Sequence, residues 1–179
     1  MGDGGWATGS VISQTSFLGD MVLTKPLMAY LAARGPVTVF DDLSVGKVAF
    51  LDGPLASGAA TLVEGDARDL DALLRAMPGH DLVVHLAANP EARWGLENTR
   101  LDLEQGTIAT YNVLEAMRRT GAPRLVFSSS GTVYGETERV AAEGDLGALR
   151  ISLYGASKFA CGGLVSAFVS CFGLEACLY

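Results

Sequence analysis

Positive charge is scarce in this sequence: thirteen lysines and arginines stand against twenty aspartates and glutamates, for a net charge of −7. No Lys/Arg run offsets that balance locally, so no nucleic-acid partner is expected. Cysteine is scarce as well. Cys161, Cys171 and Cys177 form an odd set near the C-terminal end, with no CxxC and no histidine pair beside them. That excludes a disulfide scaffold and gives no reason to expect a metal site; the cysteines read as reduced thiols. Long apolar runs are lacking too. The longest uncharged one, Phe159 to Leu174, is shorter than the roughly 20 residues of a spanning helix and is interrupted by Gly and Ser. No basic, apolar and small-residue leader opens the chain. A cytoplasmic protein with no membrane partner is the expectation.

What is present is a globular composition, 49% hydrophobic and 18% charged over 179 residues, enough for one domain with a sizeable core. From Val37 onward, short β-rich runs alternate with longer helical patterns. VTVFD (Val37 to Asp41), TLVE (Thr61 to Glu64), DLVVHL (Asp81 to Leu86), RLVFS (Arg124 to Ser128) and LEACLY (Leu174 to Tyr179) read as strands. They are mostly apolar throughout, as in a parallel sheet buried on both faces. Met28 to Arg34, Asp69 to Met77, Glu97 to Thr120 and Leu153 to Phe172 read as helices. In the third, Ile108, Tyr111, Val113, Leu114 and Met117 make a wide apolar stripe that ends at Gly121 and Pro123. The alternation predicts a doubly wound, Rossmann-like α/β domain. Leu43 to Ala60 has no clear period and reads as a surface excursion with room for a short internal element.

Two motifs carry chemistry. In YGASK, Tyr154 and Lys158 stand four apart at the start of a predicted helix and share a face. An ammonium held near a phenol favours the phenolate and brings its pKa towards the working pH, which suits Tyr154 to acid/base work. In FSSSGTVYG, Phe127 to Gly135, three serines lie at the C-terminal end of a predicted strand, where open α/β sheets place their ligands.

Together with VTVFDDLS, EGDARD and VVHLAA, and in that order, these motifs resemble the extended short-chain dehydrogenase/reductase family. The likeness is greatest to its nucleotide-sugar epimerase branch, of which UDP-glucose 4-epimerase is the type, and covers Pro36 to Tyr179. The resemblance implies roles residue by residue. Ser130 would hydrogen-bond a sugar hydroxyl, with Thr132 also on the substrate side. Tyr154 would be the catalytic base, and Lys158 would hold the nicotinamide ribose and tune the tyrosine. Asp41, with Asp42 beside it, would accept from the adenosine ribose hydroxyls; a carboxylate there repels a 2′-phosphate and so favours NAD over NADP. Asp66 and Ala67 would meet the adenine, and Leu86, Ala87 and Ala88 would form a small apolar turn beside the cofactor. Plainer readings stand next to these: Asp41 and Asp42 as a solvated strand end, Asp66 as a turn former, His85 as a neutral core histidine.

The resemblance also implies 4-epimerisation of a nucleotide sugar by transient oxidation, and a homodimer formed through the long helix after Glu97 and the helix carrying Tyr154. Related 4,6-dehydratases carry an acidic pair where this sequence has Ser130 and Gly131, which speaks against dehydration. The family's asparagine before GT is replaced by Leu103, ahead of Gly106 and Thr107, and Asn89 and Pro90 follow the HLAA-like turn in place of a lysine.

The N-terminal 35 residues are atypical, because the family's strand and TGGxGFIG loop have no clean counterpart. In one registration Thr8, Gly9 and Gly19 are what the chain offers the pyrophosphate, separated by an extra stretch with Val11, Ile12 and Gln14. In another, MVLT (Met21 to Thr24) is the first strand and Lys25 and Pro26 replace the loop. The family's C-terminal substrate lobe is absent, so residues 1–179 are expected to be one NAD-binding domain, a fragment of a longer enzyme. Two alternatives stay open: a non-catalytic remnant of the fold, and a reductase or dehydrogenase acting on a nucleotide sugar.

Overall fold

A short run that the sequence reading treats as an insertion, Ser10–Ser13 (SVIS), forms strand β1 in the middle of a six-stranded parallel sheet. The structure is a computed structural model and describes residues 10–13, 26–136, 140–142 and 152–179. The other strands are β2 (Val37–Asp41), β3 (Ala60–Glu64), β4 (Leu82–His85), β5 (Arg124–Phe127) and β6 (Glu175–Leu178). Their order is β3-β2-β1-β4-β5-β6. Val11 stands opposite Thr38 on one side and Val83 on the other. The chain therefore winds outward from β1 to β3, crosses back to β4 and winds outward again to β6. Connections diverge between β1 and β4, the switch point at whose C-terminal strand ends open α/β sheets bind their ligands.

Helices cover both faces. They are α1 (residues 26–32), α2 (Asp52–Ala56), α3 (Leu70–Ala76), α4 (Trp94–Glu97), α5 (Ala109–Thr120) and α6 (Leu153–Phe172). On one face Met28 and Leu31 of α1 pack on Val37, Val39 and Val84. On the other, Leu73, Val113, Leu114, Cys161 and Val165 of α3, α5 and α6 pack on Phe40, Val83, Leu125 and Phe127. Consecutive residues Val83 and Val84 are both buried, one in each core. Two-sided burial is why β2 and β4 read as apolar runs, and each such buried aliphatic side chain contributes about 1.5–3 kcal/mol; the edge strand β6 is exposed along its length, against the expectation of burial on both faces.

Local signals set the helix ends. Asp69 caps α3 by accepting from the Ala72 amide, and Ser152 caps α6 by accepting from Gly155 at 3.0 Å. Gly121 (φ 79°) and Gly173 (φ 71°) end α5 and α6 in the left-handed region that favours glycine. The excursion Leu43 to Ala60 holds a 3₁₀ turn, Val48–Phe50, and then α2.

Three expectations are corrected. The two registrations of the N-terminus both miss β1: its residues pair with β2 and β4, so Val11 and Ile12 are strand rather than insertion, and the place between β2 and β4 is held by Ser10–Ser13. Residues 21–24 lie outside the described residues. The helix expected from Glu97 to Thr120 is interrupted, since residues 98–100 are not helical, and the chain then winds as a π-helix over Leu103–Ile108 before α5. The expectation from apolar runs is also revised, because α6 begins at Leu153, ahead of the uncharged run, and takes in Lys158: at 20 residues it is, by length and composition, long and apolar enough to cross a membrane. In this fold it lies on the sheet, with Cys161, Val165 and Phe168 buried.

Candidate functional site

Beyond β5 the chain passes through Ser128 and Ser129 to Ser130, whose Oγ caps a 3₁₀ turn, Gly131–Tyr134, accepting from the Thr132 amide (3.3 Å) and from Thr132 Oγ1 (2.9 Å). This turn rests on the first turn of α6. A Cβ added to Gly155 would lie 2.9 Å from the Thr132 carbonyl oxygen, so only glycine lets the two backbones meet. Contact at Gly155 brings Ser130 and Thr132 up to the helix turn that carries Tyr154.

One turn further along α6 is Lys158, 2% exposed. Its ammonium donates to the Ser128 carbonyl at 2.7 Å and lies 4.8 Å from the Phe127 ring centre and 5.9 Å from that of Tyr154. A carbonyl and two ring faces offset part of the cost of burying the charge. The turn carrying Ser130 and Thr132 thus packs against the helix turn that carries Tyr154 and Lys158.

Beneath them His85, on β4, is fully buried, and Nε2 meets Thr110 Oγ1 at 2.9 Å. Burial first, then the Lys158 charge, pushes its pKa down to about 3. It is a neutral core histidine. Burial likewise pushes the Cys161 thiol up, and Cys161 donates to Thr110 Oγ1.

A second group of residues gathers at the ends of β2, β3 and β4. Asp41 is 5% exposed, accepts from the Leu43 amide at 2.7 Å and faces Gly46, whose missing side chain leaves room beside both carboxylate oxygens. Burial pushes its pKa up to about 6. The bond to Leu43 holds that residue at φ 56°, a conformation uncommon for non-glycine residues. Asp42 separates from Asp41: its carboxylate turns to the Ser44 amide and hydroxyl in the solvated arrangement of a strand end. Asp66 follows Gly65 past β3, and its carboxylate is gripped by the Arg68 guanidinium, which holds it below the usual range. Ala87 and Ala88 are buried in the turn after β4, with Leu86 half-buried at its start. Gly9 and Gly19 lie outside the described residues; in chain order the first precedes β1 and the second follows it.

Sequence reading missed several participants. Asn112, on α5, donates to the Ala67 and Arg68 carbonyls at 3.2 and 2.8 Å and pins the turn that presents Asp66. Arg68 and Arg100 join Asp66, Asp69, Glu104 and Ile108 in lining an open pocket of about 530 Å³. Asn89 and Asp102, both 2% exposed, bond to each other at 2.9 Å behind the reactive cluster. Leu103, expected at the family's asparagine position, is half exposed instead. Polar residues inside a helical pattern carry no sign of what they touch, so none of these was legible. Among the described residues no cluster of metal-ligating side chains occurs.

Chemically, the site offers a tyrosine ring near a buried ammonium, a hydroxyl pair on the turn that rests on the same end of α6, and a buried carboxylate at the end of β2. Comparisons with known proteins bear on the family and the fold. Residues 23–179 match the NAD dependent epimerase/dehydratase family. The chain is 29% identical over 140 residues to the UDP-glucose 4-epimerase of Corynebacterium glutamicum, covering 78% of this chain and 41% of that protein. Among solved structures, the Thermus thermophilus UDP-glucose 4-epimerase in complex with NAD superposes with a TM-score of 0.78 at 28% identity, over 95% of this chain and 53% of that one. The dTDP-glucose 4,6-dehydratase of Streptomyces venezuelae, solved with NAD bound, gives 0.85 at 26% identity, over 95% and 54%. The chain spans about half the length of these relatives.

Proposed function

From its membership of the NAD dependent epimerase/dehydratase family, we propose that this chain is the cofactor-binding and proton-transferring part of an NAD-dependent nucleotide-sugar 4-epimerase. The observation that carries the reading is the contact of Gly155 with the Thr132 carbonyl, which sets Ser130 beside Tyr154 while Lys158 anchors the same helix turn to the end of β5.

The described residues fit NAD. Asp41 is a buried acceptor facing the open space over Gly46, suited to paired ribose hydroxyls and hostile to a 2′-phosphate. Ala87 and Ala88 keep the turn after β4 low beside the switch point. Asp66 and Ala67, on the turn held by Asn112, would meet the adenine. When bound, NAD supplies a hydride acceptor that can return the hydride to either face of the sugar carbon. Tyr154 Oη takes the proton of the sugar 4-hydroxyl and later gives it back. Lys158 stabilises the phenolate and reaches the nicotinamide ribose, and Ser130 donates to the sugar oxygen as its charge changes. Ser130 and Gly131 provide no acid or base for eliminating water, which favours epimerase over dehydratase even though the fold matches both.

The exposed aromatic edge of α5 and α6 supports a homodimer. Tyr111 meets Phe168 edge-on at 6.2 Å, and Phe168 meets Phe172 at 5.0 Å, with Tyr111 and Phe172 about half exposed. Sedimentation of a dimer in the parent protein and of a monomer in Phe172→Glu is the expected pair of results.

A second reading, a remnant that keeps the fold and binds cofactor weakly, draws on one feature: the sequence between Ser13 and residue 26 contains a single glycine, Gly19. Titration with NAD separates the two, since saturable binding supports the enzyme and none at millimolar cofactor supports the remnant. Given binding, sugar inversion without net NADH marks an epimerase, and accumulating NADH a dehydrogenase. Tyr154→Phe is expected to lower turnover roughly 10²–10⁴-fold with NAD affinity within about twofold of the parent. Turnover that survives in this variant removes Tyr154 as the base.

A further inference from the structure

Asp102 has one carboxylate oxygen, Oδ2, that is buried and has no hydrogen-bond partner. Among the described residues it has no ion-pair partner either. An isolated buried carboxylate costs several kcal/mol, and an apolar residue would fill the same space without that cost. What the polar residue adds is a set of directional bonds.

Asp102 Oδ1 accepts from Asn89 Nδ2 at 2.9 Å, and Asn89 Oδ1 in turn accepts from the Glu91 amide at 3.1 Å. The main-chain carbonyl of Asp102 accepts from Ser157 Oγ at 2.7 Å, and Ser157 immediately precedes Lys158. Two glycines close the knot. A side chain on Gly95 of α4 would overlap Asp102 Oδ2, and one on Gly106 would overlap Ser157 Oγ. The π-helix begins directly after Asp102, and its wider turn leaves Leu103 half exposed while Asp102 is 2% exposed. The loop after β4, α4, the π-helix and the reactive turn of α6 therefore meet at one residue, the first two at its carboxylate and the last at its main-chain carbonyl.

We propose that Asp102 and Asn89 are a positioning pair, which fixes the Tyr154–Lys158 turn of α6 relative to the Leu86–Ala88 turn after β4. The inference rests on the reading of Tyr154 as the base and extends it to residues that touch neither substrate nor cofactor. Ser157 transmits the constraint to Lys158, and Asn89 transmits it to the cofactor side. Specificity of arrangement, rather than net stability, is what a buried polar pair of this kind supplies.

The test compares the parent with Asp102→Asn and with the double variant Asn89→Leu/Asp102→Leu. The double variant removes both members of the side-chain pair at nearly constant volume, so neither is left facing an apolar partner; the half-buried Glu91 amide alone gives up its acceptor. Two readouts need no turnover: NAD affinity, and the pH at which Tyr154 ionises, taken as the absorbance difference between each protein and its own Tyr154→Phe counterpart. In the double variant, folded by circular dichroism, NAD affinity is expected to fall about tenfold and Tyr154 ionisation to move up by about one pH unit. Asp102→Asn, which keeps a side-chain acceptor for Asn89, is expected to stay close to the parent; the main-chain carbonyl that Ser157 bonds is common to every variant. A folded double variant with both readouts unmoved overturns the proposal, as does Asp102→Asn behaving like the double variant. If the double variant does not fold, Asn89→Ala decides by the same two readouts. A parent whose Tyr154 ionises as an ordinary tyrosine instead defeats the base reading, and the NAD readout still judges the positioning pair.

Discussion

Asp41 and Asp66 stand at the ends of neighbouring strands, and both read from sequence as adenosine-side acceptors. The fold treats them in opposite ways. Asp41 is enclosed, with one backbone amide for company, and burial pushes its pKa up to about 6. Asp66 is more open to solvent, and the Arg68 guanidinium holds it below the ordinary range. The lesson is that a strand-end carboxylate supplies an acceptor, while its surroundings decide how readily that acceptor carries charge. An enclosed acceptor is preorganised and sensitive to pH; an exposed, ion-paired one must share its oxygens with Arg68 before a ligand can use them.

The largest expected effect is on cofactor affinity. Asp41→Ala removes a charged acceptor for two hydroxyls and should weaken NAD binding roughly ten- to hundredfold, whereas Asp66→Ala should cost several-fold at most. Isothermal titration of both variants checks the ranking, and equal losses would erase the distinction between the two carboxylates.

Next in size is stability. Because the folded pKa of Asp41 lies near 6 and the unfolded one near 3.8, the folded state binds the proton more tightly. The stability this contributes is present below the unfolded pKa and lost as pH rises through about 6. At pH 7, Asp41→Asn should therefore be more stable than the parent, by about 1–3 kcal/mol. The gain should vanish near pH 4, as urea unfolding at the two values will show. Asp66 runs the other way: its depressed pKa adds stability above the unfolded value and loses it as pH falls. That contribution is small because the pair is exposed.

A smaller effect concerns the pH dependence of binding. NAD affinity should decline several-fold as pH drops through 6 and Asp41 takes up its proton, and should stay flat in Asp41→Asn. A decline that persists in the asparagine variant would assign the titration elsewhere. Smallest of all is Arg68→Ala, which frees Asp66 and should change NAD affinity by no more than about threefold, the scale of an exposed ion pair. A larger change would make Arg68 itself a ligand contact.

Much of the fold was legible in the chain. Val37–Asp41 and Leu153–Phe172 fall where the pattern places them: the strand is a continuous apolar run, and the helix lies between a serine cap and a glycine stop. β1 was not legible. SVIS is four residues long with serine at both ends, so only its pairing to β2 and β4 identifies it. The break at residues 98–100 and the π-helix after it were hidden for a related reason: a helical period continues through both, and the widened turn answers to what Asp102 and Ser157 touch. In the site, Tyr154, Lys158 and Ser130 were legible because the motifs name residues at short range. Asn89, Asp102 and Asn112 were not, because their partners lie across tertiary contacts; Arg68 pairs with Asp66 two residues away, and the sequence leaves open which way its side chain turns.

Motif spacing and apolar patterning are local properties, and from them follow the parallel sheet, the shared helix face of Tyr154 and Lys158, and the serine turn after β5. Only the packed chain decides that Thr132 meets Gly155, that Asp41 is enclosed while Asp66 is ion-paired, and that Asp102 joins four elements. Burial and hydrogen-bond direction depend on residues far apart in sequence, and they take their values only once the helices have closed over the sheet.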